Sequence, residues 1–600
     1  MIHNQLLTMN ADCQSMKSKS VPPPDSLLAA SNGRGESNPW RIPIFLLCTL
    51  GLMAFSENSK AEVSLPPVLS SHMVLQRDVP VPIWGTAAPG EKVTVKFRDQ
   101  QKTANADAQG KWMIKLDALK VGEAATLTVM GVNTVTLNDV LVGEVWLGSG
   151  QSNMDTHVFD YIRDASPPST LAALDQGQAG DGAKDAATKY HIRDEVLERL
   201  AQQTYPQLRL ISSANRQGWK EATPENIIQF SALLFSYGQF LQKELGVPVG
   251  LIAGAVGATS SEQWVSREAY QSDDACKKAL DKFSTSYSIE AEQKKYEAAL
   301  AKWEKETAAS SLTSEAPQKK TPTKPRPPFH PGEVTRDLTL PNKNIGDLYE
   351  IHIRPLIPYA IRGVFWDQGE GGTGIFGLDQ YSLIGALIGS WRKDWSQGEF
   401  PFLYVQKPSG RGCAFDYEDP VTKQAEAFAA MLPGTVPTTL NGIERETYIR
   451  ISRYPSTAMV TSSDLGTGTH PINKSGYGAR ACRVALATVY GRKIEYYGPV
   501  YESFEVAGNK MRIRFTHLGK GLVFAHGDKL QGFAIAGEDK KFCWADAVID
   551  GKTVVVSSAA VTKPVAVRYA WSGNHPWANL FNQDGLPAQA FRTDDWTDDR

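Results

Sequence analysis

The feature that most constrains the fold is a change of pattern along the chain between residues 142 and 492. Short, largely apolar segments alternate there with helix-like stretches such as Ser231 to Leu245 and Asp379 to Trp391. Apolar runs of this length are typical of strands buried on both faces of a sheet. They are Val142–Leu147, Gly250–Ala253, Ile361–Trp366 and Phe400–Val405. The alternation predicts an α/β fold with a mostly parallel sheet covered by helices.

A different pattern flanks this region on both sides. Polar and apolar residues alternate in short runs such as Lys92–Phe97, Lys111–Leu116 and Lys510–Phe515, with Gly, Pro and Asp between them. Period-two alternation predicts antiparallel, sandwich-like β domains. We therefore expect an N-terminal β domain at residues 62–141, the α/β domain at 142–492 and a C-terminal β domain at 493–600. A helical and Pro-rich insertion is expected within the α/β domain at about 285–335.

The first 61 residues predict export. The apolar run from Ile42 to Phe55 is too short to span a bilayer comfortably, and Ser59–Ala61 offers a small-residue cleavage site. We expect 1–61 to be a signal peptide with an upstream segment, with Met16 as an alternative start. The mature protein is then secreted or periplasmic, without a membrane span. An uncleaved anchor or a short buried helix are the alternatives.

Composition and motifs exclude several classes of partner. The formal net charge of -2 gives no basic field for nucleic acid. No HExxH, P-loop or EF-hand spacing is present, so we expect neither a metal nor another cofactor. Gly369–Gly374 fits a dinucleotide fingerprint, but no strand with an acidic end follows about twenty residues later. Four cysteines after residue 61 are widely scattered, and a buried free thiol is the expectation for each.

A strand that leads into a Gly-rich turn presents a candidate nucleophile. Val145–Leu147 continues through Gly148 and Gly150 to Ser152. A serine at such a turn can expose its hydroxyl to a substrate carbonyl, although it can also simply cap a helix. Met154 occupies the second glycine position of the G-x-S-x-G elbow, so the α/β-hydrolase motif is not matched.

A nucleophilic serine needs a base and donors for an oxyanion. His470 stands in a Gly/Thr-rich loop between an apolar strand and a helix, where it can lean towards Ser152. Gly257 offers a backbone N–H and Gln368 a side-chain amide, each directly after a predicted strand. The other histidines that compete for the role of base are His157, His352, His517 and His575.

A series of segments stands in a fixed order along the mature chain. These are Glu144–Leu147, Gly150–Met154, Pro248–Ile252, Gln368–Glu370 and His470–Pro471 followed by Lys474, with Leu65–Gln76 before them and Val567–Trp571 and Gly585–Ala588 after them. Together they resemble the sialate O-acetylesterase-type family of the SGNH hydrolase superfamily. The likeness covers nearly the whole mature chain.

The resemblance implies a fold, a mechanism and a substrate class. It implies a three-layer α/β/α SGNH hydrolase core that acts on O-acetylated sugars without a cofactor. Ser152 is then the nucleophile and His470 the general base, and the oxyanion donors are the Ser152 amide, Gly257 and Gln368. We also predict that residues beside these blocks contact the substrate, namely Gln151, Asn153, Asp155 and Glu370.

The chain departs from the family pattern at three positions. Ala258 and Gly372 replace a glycine and an Asn or Asp that relatives often carry. Thr467 stands where many SGNH enzymes have the Asp that orients the catalytic His. Asp464 in the same loop is therefore our candidate for the orienting carboxylate. The alternative is a Ser–His dyad whose imidazole is held by a backbone carbonyl near Thr467.

The predicted function is two-step acyl transfer that removes acetyl groups from sugars. One alternative substrate is an acetylated plant or algal polysaccharide of the xyloglucan or xylan type. An alternative of another class is a non-catalytic carbohydrate-binding protein on a hydrolase scaffold. The sequence leaves the oligomeric state open.

Overall fold

The computed structural model of the chain describes residues 62–162, 193–213, 217–286, 288–311, 345–374, 377–437 and 440–596. The predicted signal peptide and its upstream segment lie outside the described residues, and so does most of the predicted Pro-rich stretch. Lys60–Arg600 forms one compact unit. In the part of this unit that the structure describes, no helix is long and apolar enough to cross a membrane.

The strands are numbered in chain order over the described residues. They are β1 (Val74–Gln76), β2 (Val81–Thr86), β3 (Lys92–Phe97), β4 (Gln100–Asn105), β5 (Lys111–Leu116), β6 (Ala125–Met130), β7 (Thr134–Gly150), β8 (Tyr205–Ser212), β9 (Lys220–Ala222), β10 (Val249–Ala255), β11 (Gly363–Asp367), β12 (Phe402–Val405), β13 (Thr457–Val460), β14 (Val500–Ala507), β15 (Lys510–Thr516), β16 (Leu522–Phe524), β17 (Phe533–Ala536), β18 (Cys543–Trp544), β19 (Asp546–Asp550), β20 (Thr553–Ser557), β21 (Ala566–Tyr569), β22 (Leu580–Asn582) and β23 (Phe591–Arg592).

The α-helices are numbered in the same way. They are α1 (Ser152–Asp155), α2 (Phe159–Ile162), α3 (Glu195–Ala201), α4 (Pro224–Ile227), α5 (Ala232–Leu245), α6 (Arg267–Ser272), α7 (Asp274–Ser286), α8 (Ile289–Ser311), α9 (Gln380–Trp395), α10 (Leu440–Ile451) and α11 (Lys474–Thr488). Short 3₁₀ turns cover Ser261–Trp264 and Arg354–Leu356, and a π-helical turn covers Tyr349–Ile353.

The central sheet has the strand order β13-β12-β11-β7-β10-β8-β9. All neighbours in this order pair in parallel except β8 and β9, which pair antiparallel. The chain moves to one side of β7 for β8 to β10 and to the other side for β11 to β13. The direction of winding therefore reverses beside β7, and in such sheets ligands bind beyond the carboxyl ends of the strands at this point.

Helices cover both faces of this sheet. Val145 and Leu147 of β7 point into a core that also contains Trp391 of α9. Trp146, between them, points into the opposite core, which contains Leu233 of α5 and parts of α11. Because both faces are buried, these strands carry no polar alternation, as the sequence indicated. The predicted α/β class is confirmed.

The N-terminal β region and the central sheet share one strand. The first part of β7 pairs antiparallel with β6, and its last part pairs with β10 and β11. One hydrophobic core runs from Val93 and Leu127 of the β region to Trp264 of the α/β region. The predicted boundary at 141/142 therefore lies inside a continuous strand.

The C-terminal β region contains two four-stranded sheets, of order β14-β15-β20-β19 and β18-β17-β21-β23, and the pair β16-β22. It has its own core. Contacts also join it to the α/β region, since the Arg445 guanidinium donates to the carbonyls of Ser572 and Gly573. The cysteines among the described residues are free, as expected, but Cys543 is only half-buried.

Candidate active site

The carboxyl ends of the five neighbouring strands in the middle and on one side of the central sheet carry polar side chains. Because parallel strands end at the same edge, residues far apart in the sequence meet there. These residues are Ser152 after β7, Gln368 and Glu370 after β11, Lys407 after β12, and Asp464 and His470 after β13, and Gly257 after β10 adds a backbone amide.

Ser152 and His470 are in direct contact. The Oγ atom of Ser152 lies 2.8 Å from Nε2 of His470, although the two residues are 318 positions apart in the chain. Ser152 is the first residue of α1 and is 7% exposed. A hydroxyl that can pass its proton to an imidazole at this distance can act as a nucleophile.

A tight turn places Ser152 at the end of β7. Gly150 has φ +127°, in the region that favours glycine, and a Cβ on it would lie 2.1 Å from the Asp367 carbonyl oxygen. The Gln151 amide then donates to that same carbonyl at 2.9 Å. The turn is thus locked against β11, and Ser152 is held clear of the sheet.

Two of the four competing histidines pair with other side chains, and a third is held neutral by its surroundings. Nδ1 of His352 lies 3.0 Å from Ser213 Oγ, and burial lowers the pKa of His352 to about 4. His517 pairs with Glu495 at 2.7 Å. Burial also lowers the pKa of His575, with the charge of Arg445 acting in the same direction.

Two of the three predicted oxyanion donors, Gly257 and Gln368, have different surroundings. Gly257 is adjacent to Ser152, since a Cβ on Gly257 would lie 3.6 Å from Ser152 Cβ. Its amide donates to Oδ2 of Asp155 at 2.9 Å. The Gln368 side chain is fully buried, and its Nε2 donates to the Thr259 carbonyl at 2.9 Å. Acceptors of the protein itself therefore occupy the Gly257 amide and one N–H of Gln368 in this state.

Three of the residues predicted to contact substrate bind one another. The side-chain amides of Gln151 and Asn153 both donate to the Glu370 carboxylate, Asn153 at 3.1 Å. Asn153 also donates to the Thr469 carbonyl at 3.0 Å. Gln151 and Asn153 are 3% and 2% exposed, so little of either side chain can reach a sugar. Their role in substrate binding stays a prediction.

Sequence reasoning missed the buried Lys407. Its Nζ lies 2.6 Å from both the Asp367 and the Glu370 carboxylates and 3.1 Å from Ser409 Oγ. Burial opposes the charge, but the two carboxylates outweigh it and raise the pKa of Lys407 above its usual value. Burial raises the pKa of Asp367, which Lys407 only partly offsets. A lysine two residues after an apolar strand was the signal that could have revealed this cluster.

Lys474, at the start of α11, is a second buried amine. Its Nζ donates to Asn153 Oδ1 at 2.6 Å and lies 5.1 Å from the ring centroid of Tyr161 and 5.8 Å from that of Tyr477. Burial lowers the pKa of Lys474 to about 7, against the opposing attraction of Asp367. Aromatic faces and a single amide oxygen replace the carboxylate that usually pairs with a buried lysine.

Asp464 is paired with an arginine. Both of its carboxylate oxygens accept from the Arg480 guanidinium, at 3.1 and 2.8 Å, and both side chains are buried. The fork of a guanidinium matches a carboxylate in this bidentate geometry. The predicted role of Asp464 in orienting His470 stays a prediction.

One group of potential metal ligands occurs within the described ranges, formed by His72, Asp139 and Glu221. None of these residues belongs to the loops around Ser152. Arg209 donates to Asp139 at 2.8 Å, and its positive charge opposes a cation at this place.

Comparisons with known proteins find that the chain is similar to esterases. No family model matches the chain. The chain is 25% identical to the sialate O-acetylesterase of Mus musculus over 564 residues, covering 88% of this chain and 93% of the relative. It is 26% identical to that of Homo sapiens over 545 residues, covering 84% and 86%. Among solved structures, a carbohydrate acetylesterase from Xanthomonas citri matches 89% of this chain and 100% of its own, with 28% identity and a TM-score of 0.63.

Proposed function

Since the chain belongs to the sialate O-acetylesterase-type family, we propose that it is a carbohydrate O-acetylesterase that works through a serine acyl-enzyme intermediate. The comparisons thereby confirm the resemblance seen in the sequence motifs. The observation that carries the serine mechanism is the 2.8 Å contact between Ser152 Oγ and His470 Nε2. We also propose that the helix-covered sheet is an SGNH-type three-layer core, flanked by the two β regions.

In the proposed reaction, His470 Nε2 accepts the Ser152 proton as Oγ attacks the acetyl carbonyl carbon. The ester C–O bond then breaks, and His470 returns the proton to the departing sugar hydroxyl. This leaves an acetyl group on Ser152. Water, deprotonated by His470, attacks this ester. The bond between the acyl carbon and Ser152 Oγ then breaks, His470 returns the proton to Oγ, and acetate is released.

The oxyanion that forms in each step needs donors beside Ser152. In our proposal the acetyl oxygen replaces the Asp155 carboxylate at the Gly257 amide and also accepts from the Ser152 amide. The Gln368 side chain has two N–H bonds, of which the Thr259 carbonyl takes one. The second is the donor that we assign to the oxyanion. This chemistry requires no cofactor.

Two sugar substrates are candidates. The mammalian relatives are named for sialate esters, whereas the matching solved structure is a carbohydrate acetylesterase at slightly higher identity. The name of the solved structure specifies no sugar, and a polymeric hemicellulose is the alternative substrate that we test. Acetate release from O-acetylated sialic acid and from acetylated xyloglucan or xylan, measured at equal ester concentration, decides between them by the ratio of kcat/KM.

Replacing Ser152 tests the mechanism. We expect Ser152→Ala to lose at least about 10³-fold in kcat on p-nitrophenyl acetate, because the nucleophile is gone. Ser236→Ala is the matched control, since Ser236 is a buried serine whose hydroxyl donates within α5 to Ala232. Full activity of Ser152→Ala would refute the serine mechanism. A folded wild-type protein with no turnover and no capture of Ser152 by a fluorophosphonate would instead favour a non-catalytic sugar-binding protein.

We further propose that the mature protein begins near Glu62 and is secreted or periplasmic. The proposal rests on the apolar run and small-residue site before that position. Sequencing of the N-terminus of protein recovered outside the cytoplasm tests it.

A further inference from the structure

The Ser152 and His470 loops are bridged by one side chain. Asn153 follows Ser152 in the chain, and Thr469 precedes His470. The Asn153 side chain donates to the Thr469 carbonyl at 3.0 Å. These loops come from β7 and β13, which are separated in the sheet by β11 and β12. The contact thus joins the loops after β7 and β13, which are not neighbouring strands and so are not held together by strand pairing.

The amide of Asn153 is itself fixed on every side. Its second N–H donates to Glu370 Oε1 at 3.1 Å, and its oxygen accepts from Lys474 Nζ at 2.6 Å. The side chain is 2% exposed. Because both amide hydrogens are used and the group is buried, Asn153 has no donor left for a sugar hydroxyl.

The acceptor Glu370 is anchored in turn by a buried ion pair. Lys407 Nζ lies 2.6 Å from Glu370 Oε1 and 2.6 Å from Asp367 Oδ1. The cluster formed by Asp367, Lys407, Glu370 and Asn153 therefore spans the ends of β11, β12 and β7, and reaches the β13 loop at Thr469. Each member restricts the rotamer of the next.

We propose that Asn153 is a positioning residue that holds His470 against Ser152 by gripping the Thr469 carbonyl, with Glu370 and Lys474 fixing the orientation of its amide. The proposal rests on the Ser152–His470 mechanism described above. It replaces the predicted substrate contact of Asn153 with a role exerted through His470. The 2.8 Å distance between Ser152 Oγ and His470 Nε2 then depends on the buried cluster as well as on the conformation of the His470 loop.

The effect of Asn153→Ala should fall on kcat. Loosening a catalytic pair by about 1 Å costs about 10²-fold, and we expect a loss of that size in kcat on p-nitrophenyl acetate with little change in KM. Asn226→Ala is the matched control, because its amide also donates to a backbone carbonyl, that of Glu221 at 2.9 Å. We expect Asn226→Ala to leave kcat unchanged. A rise in KM at unchanged kcat for Asn153→Ala would overturn the proposal in favour of a substrate contact.

The deciding experiment is a double-mutant cycle with His470→Ala, assayed at high enzyme concentration. If Asn153 acts through His470, Asn153→Ala causes no further loss of kcat in the His470→Ala background. The same loss in both backgrounds would overturn the proposal. Asn153→Asp serves as the second variant should Asn153→Ala fail to fold, since its carboxylate keeps the contact with Lys474 but loses both N–H donors. We expect it to behave as Asn153→Ala does in the cycle.

The two proposals fail in different ways. Full activity of Ser152→Ala refutes the serine mechanism. Loss of activity in Ser152→Ala, together with an Asn153 effect that persists without His470, refutes only the positioning role.

Discussion

At the scale of single residues, Gly150 determines where the nucleophile stands. Its φ of +127° favours glycine, and a Cβ at this position would lie only 2.1 Å from the Asp367 carbonyl oxygen. There is consequently no room for a side chain between β7 and β11. Ser152 follows two residues later, so a shift of the turn is passed directly to its hydroxyl.

We expect Gly150→Ala to lower the free energy of unfolding by about 3 kcal/mol, because backbone atoms must move apart. Its kcat should fall as well. Gly246→Ala is the control: Gly246 has φ +64° but no atom within 4 Å of a Cβ, so it should cost only about 1 kcal/mol. Urea unfolding measures both variants. Equal losses would show that the close approach to Asp367 is not the cause.

The pairing of Asp464 with Arg480 makes a second prediction at this scale. Asp464→Asn should lower the free energy of unfolding by about 3 kcal/mol, because it leaves a buried guanidinium without its charge partner. Because both carboxylate oxygens of Asp464 accept from Arg480, we expect kcat of the folded variant to fall less than about tenfold, as for the Ser–His dyad that is the alternative to the predicted triad.

Asp594→Asn is the control for this stability effect. Asp594 forms the same kind of buried bidentate pair with Arg568 in the C-terminal β region. We expect a similar loss of stability there, with unchanged kcat. A kcat loss of several orders in folded Asp464→Asn would instead make Asp464 the orienting carboxylate of a triad.

At the scale of elements, one buried histidine, His352, makes the stability of the packing beside the central sheet depend on pH. His352 lies in the π-helical turn, with its ring centroid 5.9 Å from that of Trp264 and its Nδ1 bound to Ser213. Burial lowers its pKa to about 4 in the folded protein. As the pH falls, the imidazole of His352 is therefore protonated at a higher pH in the unfolded chain than in the folded protein.

Stability should consequently decrease as the pH falls from about 6.5, the usual value for histidine, to about 4. The loss attributable to His352 is on the order of 3 kcal/mol at the lower end, from a shift of about two and a half units. Below about pH 4 the contribution of His352 to the free energy of unfolding no longer changes with pH. Urea unfolding at pH 7, 5 and 4 measures it. His352→Gln should show a shallower dependence than the wild type, and an identical dependence would exclude His352 as the cause.

At the scale of the whole molecule, the α/β region depends on both β regions. Strand β7 belongs to the N-terminal sheet and the central sheet at once, and one core serves both. On the other side, Arg445 of α10 is buried and donates to carbonyls of the C-terminal region.

We therefore expect a fragment of residues 142–492 not to fold cooperatively, because it exposes the shared core and leaves the buried Arg445 with the Gly410 carbonyl but without the Ser572 and Gly573 carbonyls. Near-UV circular dichroism and the cooperativity of urea unfolding measure this, with residues 62–600 as the folded control. A cooperative fragment with the kcat of the longer chain would show that the predicted domain is autonomous.

Local patterns in the sequence were enough for the elements and for the candidate blocks. Predicted segments such as Lys92–Phe97, Lys111–Leu116 and the helix after the His470 loop agree with the strands and helix observed. These follow from apolar periodicity and flanking turn residues, which act over a few positions. The ordered motifs likewise singled out Ser152 and His470 before their contact was known.

The partners of these residues depended on tertiary structure. Periodicity in the sequence does not predict three of these contacts. They are the pairing of Asp464 with Arg480, the ion pairs of Lys407 with two carboxylates, and the hydrogen bond from Asn153 to the Thr469 carbonyl. Nor does periodicity predict the continuity of β7 across residue 141. The physical reason is range: periodicity reports which side of an element is buried, whereas charge pairs and hydrogen bonds depend on which distant loops the parallel sheet brings to one edge.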